Sequence, residues 1–120
     1  MADNIAEKAK ELGRLIGQTP EYQALERARA RIHEDRELTK TINALAQLEA
    51  DISQSLQRGV EPTDEIKQDY EQNFAVLQSS PIYQGLVAAQ SNFDKQLTRV
   101  NEQISQGIEA GSQSRIILPT

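Results

Sequence analysis

The sequence predicts an all-α fold of about five amphipathic helices, arranged as two related helical hairpins with long third and fifth helices and completed as an oligomeric bundle. Three observations predict it. Apolar residues recur at intervals of three and four along most of the chain, which places them on one side of a helix, and no stretch shows the alternation of a strand. Residues that cap helices, some followed directly by Pro, precede the runs. Leu, Ile, Val and Phe number only 28 of 120 residues, Trp is absent and mean hydropathy is −0.60. So thin a core is more easily completed by a second chain than by the chain alone.

The elements follow in order. Asp3 is placed to cap a first helix with Ile5, Ala9, Leu12 and Ile16 on one face and Gly17 at its end. Thr19-Pro20-Glu21 reads as an N-cap followed by Pro at the first helical position, where its missing N–H costs nothing, and Tyr22, Leu25 and Ile32 continue the second helix. Asp35 caps a third helix carrying Leu38, Ile42, Leu45, Leu48 or Glu49, Ile52 and Leu56, with Gly59 as its stop. Thr63 caps a fourth, with Ile66, Tyr70, Phe74 and Leu77 on one face, closed by Ser79-Ser80-Pro81. From Pro81 a fifth helix carries Leu86, Phe93, Leu97, Val100, Ile104 and Ile108, interrupted by one polar position, Gln90, with Gly111 expected to end it. Residues 1–110 are thus expected as a single helical domain and 111–120 as a flexible tail.

A weak internal repeat underlies the pattern. Asp3-x-Ile5, Ile16, Thr19-Pro20-x-Tyr22-Gln23-x-Leu25 and Ala28 return as Asp64-x-Ile66, Leu77, Ser80-Pro81-x-Tyr83-Gln84-x-Leu86 and Ala89. Each copy is a helix, a Pro-started corner and another helix, with Tyr22 and Tyr83 expected to pack as staples across the corner. As a continuous helix, Pro81 to Glu109 spans roughly 40 Å, whereas a compact domain of this length has a radius of gyration of about 14 Å. Part of the fifth helix should therefore project, and Leu86, Phe93, Leu97, Val100 and Ile104 form the candidate apolar interface for self-association or a partner groove. The plain alternative is that the same side chains are intramolecular core.

Several functions find no seat in this sequence. Cysteine is absent, which removes disulfides, thiolate metal sites and cysteine nucleophiles. The only imidazole, His33, lies among Glu34, Asp35, Arg36 and Glu37. Its run His33-Glu34-x-x-Glu37 has Glu where a helical zinc motif needs a second His. Carboxylates at 61, 64 and 65 suit a helix start rather than acid–base work. No Gly-rich phosphate loop or nucleophile elbow is present, so no catalytic, metal-binding or cofactor-binding residues are expected. The N-terminus shows no signal pattern and no apolar run approaches the roughly 18 residues that cross a bilayer, which points to a cytoplasmic chain with no membrane contact.

The net charge of −5 opposes a phosphate backbone. The one basic concentration, Arg27, Arg29 and Arg31, is the candidate polar recognition surface and carries the alternative of RNA association. Acidic residues interleave with it, and residues 1–40 balance at eight basic against eight acidic, which favours a solvated face.

Leu12-Gly13-x-Leu15-Ile16, Thr19-Pro20-x-Tyr22, the Asp35 helix start, Ser80-Pro81 and Ala89-Gln90-x-x-Phe93, in this order and separation, resemble the bacterial YlbF/YmcA family over roughly residues 5–108. The chain is most similar to a cysteine-free, YheA-like branch. The resemblance implies small cytoplasmic helical proteins that self-associate and whose best-known members join an adaptor complex acting on ribonuclease Y, with effects on competence, sporulation and biofilm formation. Those members carry cysteines associated with an iron–sulfur cluster. This chain has none, so the resemblance implies the binding role without the redox part.

Overall fold

The computed structural model describes residues 2–117, and the side chains of residues 3–113. Five helices follow one another: α1 (Ala2–Gly17), α2 (Pro20–Glu34), α3 (Arg36–Gln57), α4 (Asp64–Gln78) and α5 (Pro81–Ile117), and among the described residues there is no strand. Asp3, expected as a cap, lies inside the first turn of α1, where its charge still meets the positive end of the helix dipole.

The corners are built by short side chains. Thr19 has extended backbone, accepts from the Tyr22 amide at 3.3 Å and donates its hydroxyl to the Ile16 carbonyl at 2.6 Å, so one residue closes α1 and opens α2. Asp35 does the same between α2 and α3. Its amide donates to the Ile32 carbonyl at 3.1 Å while its carboxylate accepts from the Leu38 amide at 3.0 Å. The Thr39 hydroxyl donates to the same Ile32 carbonyl at 2.9 Å, locking the joint. Thr63 and Ser80 accept from the amides of Ile66 and Tyr83 and so cap α4 and α5.

Gly59 ends α3 as its sequence position suggests. It adopts φ 74°, and the amides of Gly59 and Val60 return to the carbonyls of Leu56 and Ser55 at 3.0 and 2.9 Å, the paired bonds of a Schellman motif. Gly111 behaves differently: α5 runs through it to Ile117. An interior glycine costs roughly 1 kcal/mol against alanine, and that alone does not stop a helix when no competing turn follows. The remainder of the expected tail, residues 118–120, lies outside the described residues.

Helix packing joins two antiparallel pairs. In one, α3 and α4 fold back through the Arg58–Thr63 loop, and in the other α2 lies along α5 with Thr19 beside Gln96 and Tyr22 beside Phe93. The pairs meet at a small core of Ile32, Leu38, Leu45 and Leu77, against which Ile42, Tyr70, Ile82, Tyr83 and Leu86 pack. Leu25 and Ala89 are buried between α2 and α5. The repeat-related corners are both present, but among the described residues α1 packs on α2 and not on α5.

The result is long and thin, 72 × 38 × 22 Å with a radius of gyration of 21.7 Å. Its accessible area of 9533 Å² exceeds by about 3,000 Å² the roughly 6,500 Å² of a compact monomer of this mass. No helix among the described residues is long and apolar enough to cross a membrane.

Candidate protein-interaction surfaces

The fifth-helix stripe divides into two parts. Leu86 packs on the shared core, and the Phe93 ring lies 5.3 Å from that of Tyr22, tilted by 58°, so the proximal half holds α5 against α2. Tyr22 finds its ring partner on α5, because the antiparallel register brings Phe93 opposite it. Leu97 and Val100 are half-buried where α2 begins. Beyond them α2 has ended, and Ile104 and Ile108 are 45% and 68% exposed.

A second apolar stripe lies on α1. Leu12 and Ile16 are half-buried near the corner, while Ile5 is 73% and Leu15 64% exposed. Both arms, α1 and distal α5, extend from the end of the α2/α5 pair where Thr19 and Gln96 meet. Each carries more apolar surface than its neighbours cover.

Arg27, Arg29 and Arg31 are exposed, but helical geometry separates them. Arg27 and Arg31 border a shallow cleft of about 270 Å³ with Ala24, Ala28, Gly85 and Ala89, whereas Arg29 turns away and lies 3.4 Å from Glu26. The three do not converge on one patch. His33 is exposed, and among the described residues no group of three His, Cys, Asp or Glu side chains is placed to hold a metal.

Two features escaped the sequence reading. Small residues at i and i+4 on both helices, Ala24 and Ala28 on α2 and Gly85 and Ala89 on α5, line the shallow cleft between them, and a Cβ added at Gly85 would meet nothing within 4 Å. The four-residue spacing of small side chains was the available signal. The other feature is a groove of about 610 Å³ between α3 and α4, lined by Glu49, Ile52, Ser53, Leu56, Gln57 and Tyr70. The Tyr70 hydroxyl donates to the Glu49 carboxylate at 3.3 Å. Burial, then the adjacent Glu49 charge and this bond, push the Tyr70 phenol above its usual pKa.

Comparison with known proteins accounts for this architecture. Residues 5–109 match the family model described as "Control of competence regulator ComK, YlbF/YmcA". A UPF0342 protein of Streptococcus mutans is 32% identical over 90 residues, covering 75% of this chain and 80% of the relative. UPF0342 protein BH1149 of Halalkalibacterium halodurans is 24% identical over 106 residues, 88% of this chain and 91% of its own. Among solved structures, a chain from the crystal structure of Bacillus subtilis RicA in complex with RicF shares the fold with a TM-score of 0.77 at 16% identity, covering 93% of this chain and 99% of that one. By the span of the family match and the similarity to the streptococcal relative, the chain belongs to the YlbF/YmcA family.

Proposed function

We propose that this protein is a non-catalytic helical adaptor of the cysteine-free, YheA-like kind, which acts in the cytoplasm by presenting helix faces to a second copy of itself and to other helical regulatory proteins. One observation carries the reading. A chain exposing about 3,000 Å² more than a compact monomer has surface to commit to an obligate interface, which in total buries 2,000–5,000 Å². The exposed Ile5, Ile104 and Ile108 on its two arms supply the apolar contacts, each adding on cover the part of about 1.5–3 kcal/mol that corresponds to its 45–73% exposure. In this reading the self-interface continues the line of Leu97 and Val100 into distal α5, while Leu86 and Phe93 hold that helix in place.

The family description names competence control, and the structural neighbour was solved with a protein partner, which supports an adaptor in a regulatory assembly. The family resemblance extends the reading to an assembly acting on a ribonuclease. Capture of the tagged protein from its native extract, with and without ribonuclease treatment, tests it. Ribonuclease-resistant recovery of a helical relative or an RNA-decay enzyme is the expected outcome. Loss of all partners on RNA digestion would instead favour RNA association through Arg27, Arg29 and Arg31, and reject the adaptor.

A further inference from the structure

We propose that the groove between α3 and α4 is a second docking site, separate from the self-interface, that receives a cationic amphipathic helix of a partner protein. Its lining sets Ile52, Leu56 and the Tyr70 ring beside the polar Glu49, Ser53 and Gln57. Leu56 is 61% and Val60 57% exposed, Ile52 is half-buried, and Phe74 stacks on Tyr70 with ring centroids 5.9 Å apart and planes within 10°. Side chains of this size left uncovered on adjoining helices mark an interaction surface.

Charge identifies the occupant. Between Ala46 and Phe74 seven Asp and Glu residues stand against only Arg58 and Lys67, so this stretch, which contains the groove residues, carries a net charge equal to the −5 of the whole chain. The rest of the chain balances at eleven of each sign. Neither of the two ion pairs among the described residues involves the hairpin. Phosphate backbones and anionic lipid surfaces are repelled by such a field, whereas a helix with an apolar stripe flanked by Lys and Arg matches groove and rim together.

The one basic concentration of a second copy, Arg27, Arg29 and Arg31, does not match the groove, because Arg29 turns away from the other two and the large apolar side chains of that helix, Leu25 and Ile32, are buried. Both groove walls are helices whose backbone hydrogen bonds are internal, so an extended strand gains no ladder here, and a third helix seated between them is the fitting form. The groove lies toward the Arg58–Thr63 loop, with Tyr70 set between it and the shared core. The exposed apolar part of α5 lies at the remote end of the other pair, so both sites can be occupied at once.

The test titrates the full-length protein with a synthetic leucine–lysine peptide patterned as an amphipathic helix, and with a matched peptide carrying glutamate for lysine. Binding is read by fluorescence anisotropy and by the methyl and ring resonances of Ile52, Tyr70 and Ile108. The lysine peptide should shift Ile52 and Tyr70, leave Ile108 unmoved and bind about tenfold more tightly than its glutamate counterpart, the gap shrinking with salt. Leu56→Asn, at an exposed position that leaves the fold intact, should weaken it about tenfold and Glu49→Gln about threefold, while Ile108→Asn should leave it unchanged. Absence of binding, equal affinity for both peptides, indifference to Leu56→Asn, or shifts at Ile108 instead of the groove would each overturn the proposal.

Discussion

The rings of Tyr22 and Phe93, 5.3 Å apart and tilted by 58°, join the first turn of α2 to the middle of α5. This contact fixes the register of the α2/α5 pair and thereby decides which residues of α5 are left without a neighbour. Gln103 still shares a cleft with Glu21 at the start of α2, and from there α5 projects outward, leaving Ile104 and Ile108 exposed.

Phe93→Ala should therefore lower stability by about 2 kcal/mol, combining loss of a half-buried aromatic with loss of its ring partner. Ile108→Ala should cost less than about 0.5 kcal/mol when the chain is held monomeric at low concentration. Urea denaturation followed by circular dichroism separates the two. Equal losses would place Ile108 in the intramolecular core.

The glycines give an opposed pair. Gly59 sits at φ 74°, so Gly59→Ala should destabilise by roughly 1 kcal/mol despite open space around it. Gly107 lies within α5 with nothing within 4 Å of an added Cβ, so Gly107→Ala should stabilise the monomer by roughly 0.5–1 kcal/mol. Thermal melts of both variants check the signs.

Tyr70 supplies a pH dependence. Its phenol pKa lies above the ordinary 10.0, chiefly through burial and then through the Glu49 charge and hydrogen bond. A raised folded-state value means the folded chain holds that proton more tightly than the unfolded one. The associated stability is complete below about pH 10 and fades as pH rises through the folded value. Glu49→Gln should bring the Tyr70 titration, followed by its ring resonances, back toward the ordinary range. An unchanged titration would mean that the Glu49 contact does not operate in solution.

Much of this arrangement was legible in the residues. Thr19, Asp35 and Thr63 mark helix starts because a short side-chain oxygen beside an extended backbone satisfies otherwise unpaired amides, and that chemistry is local. Gly59 was legible for the same reason. Ser80, read as part of the close of the fourth helix, also accepts from the Tyr83 amide at the start of the fifth. What remained hidden depends on register between distant segments. Spacing alone assigns Leu86, Phe93 and Ile104 to one stripe and cannot show that the first two meet α2 and the shared core while the third is left 45% exposed. The α3/α4 groove was hidden likewise, since Ile52 and Leu56 read as ordinary core until Tyr70 is set opposite them. Gly111 misled because a glycine ends a helix only where the following backbone turns back upon it, as Val60 does after Gly59.

The central claim, that distal α5 is a self-interface, is tested most directly by multi-angle light scattering on the wild-type chain and on the double variant Ile104→Asp, Ile108→Asp. The wild type should show at least twice the monomer mass of 13.4 kDa, and the variant should fall to the monomer mass with its helical circular dichroism retained. A wild type that is already monomeric at high concentration, or a variant that keeps the wild-type mass, would contradict the claim.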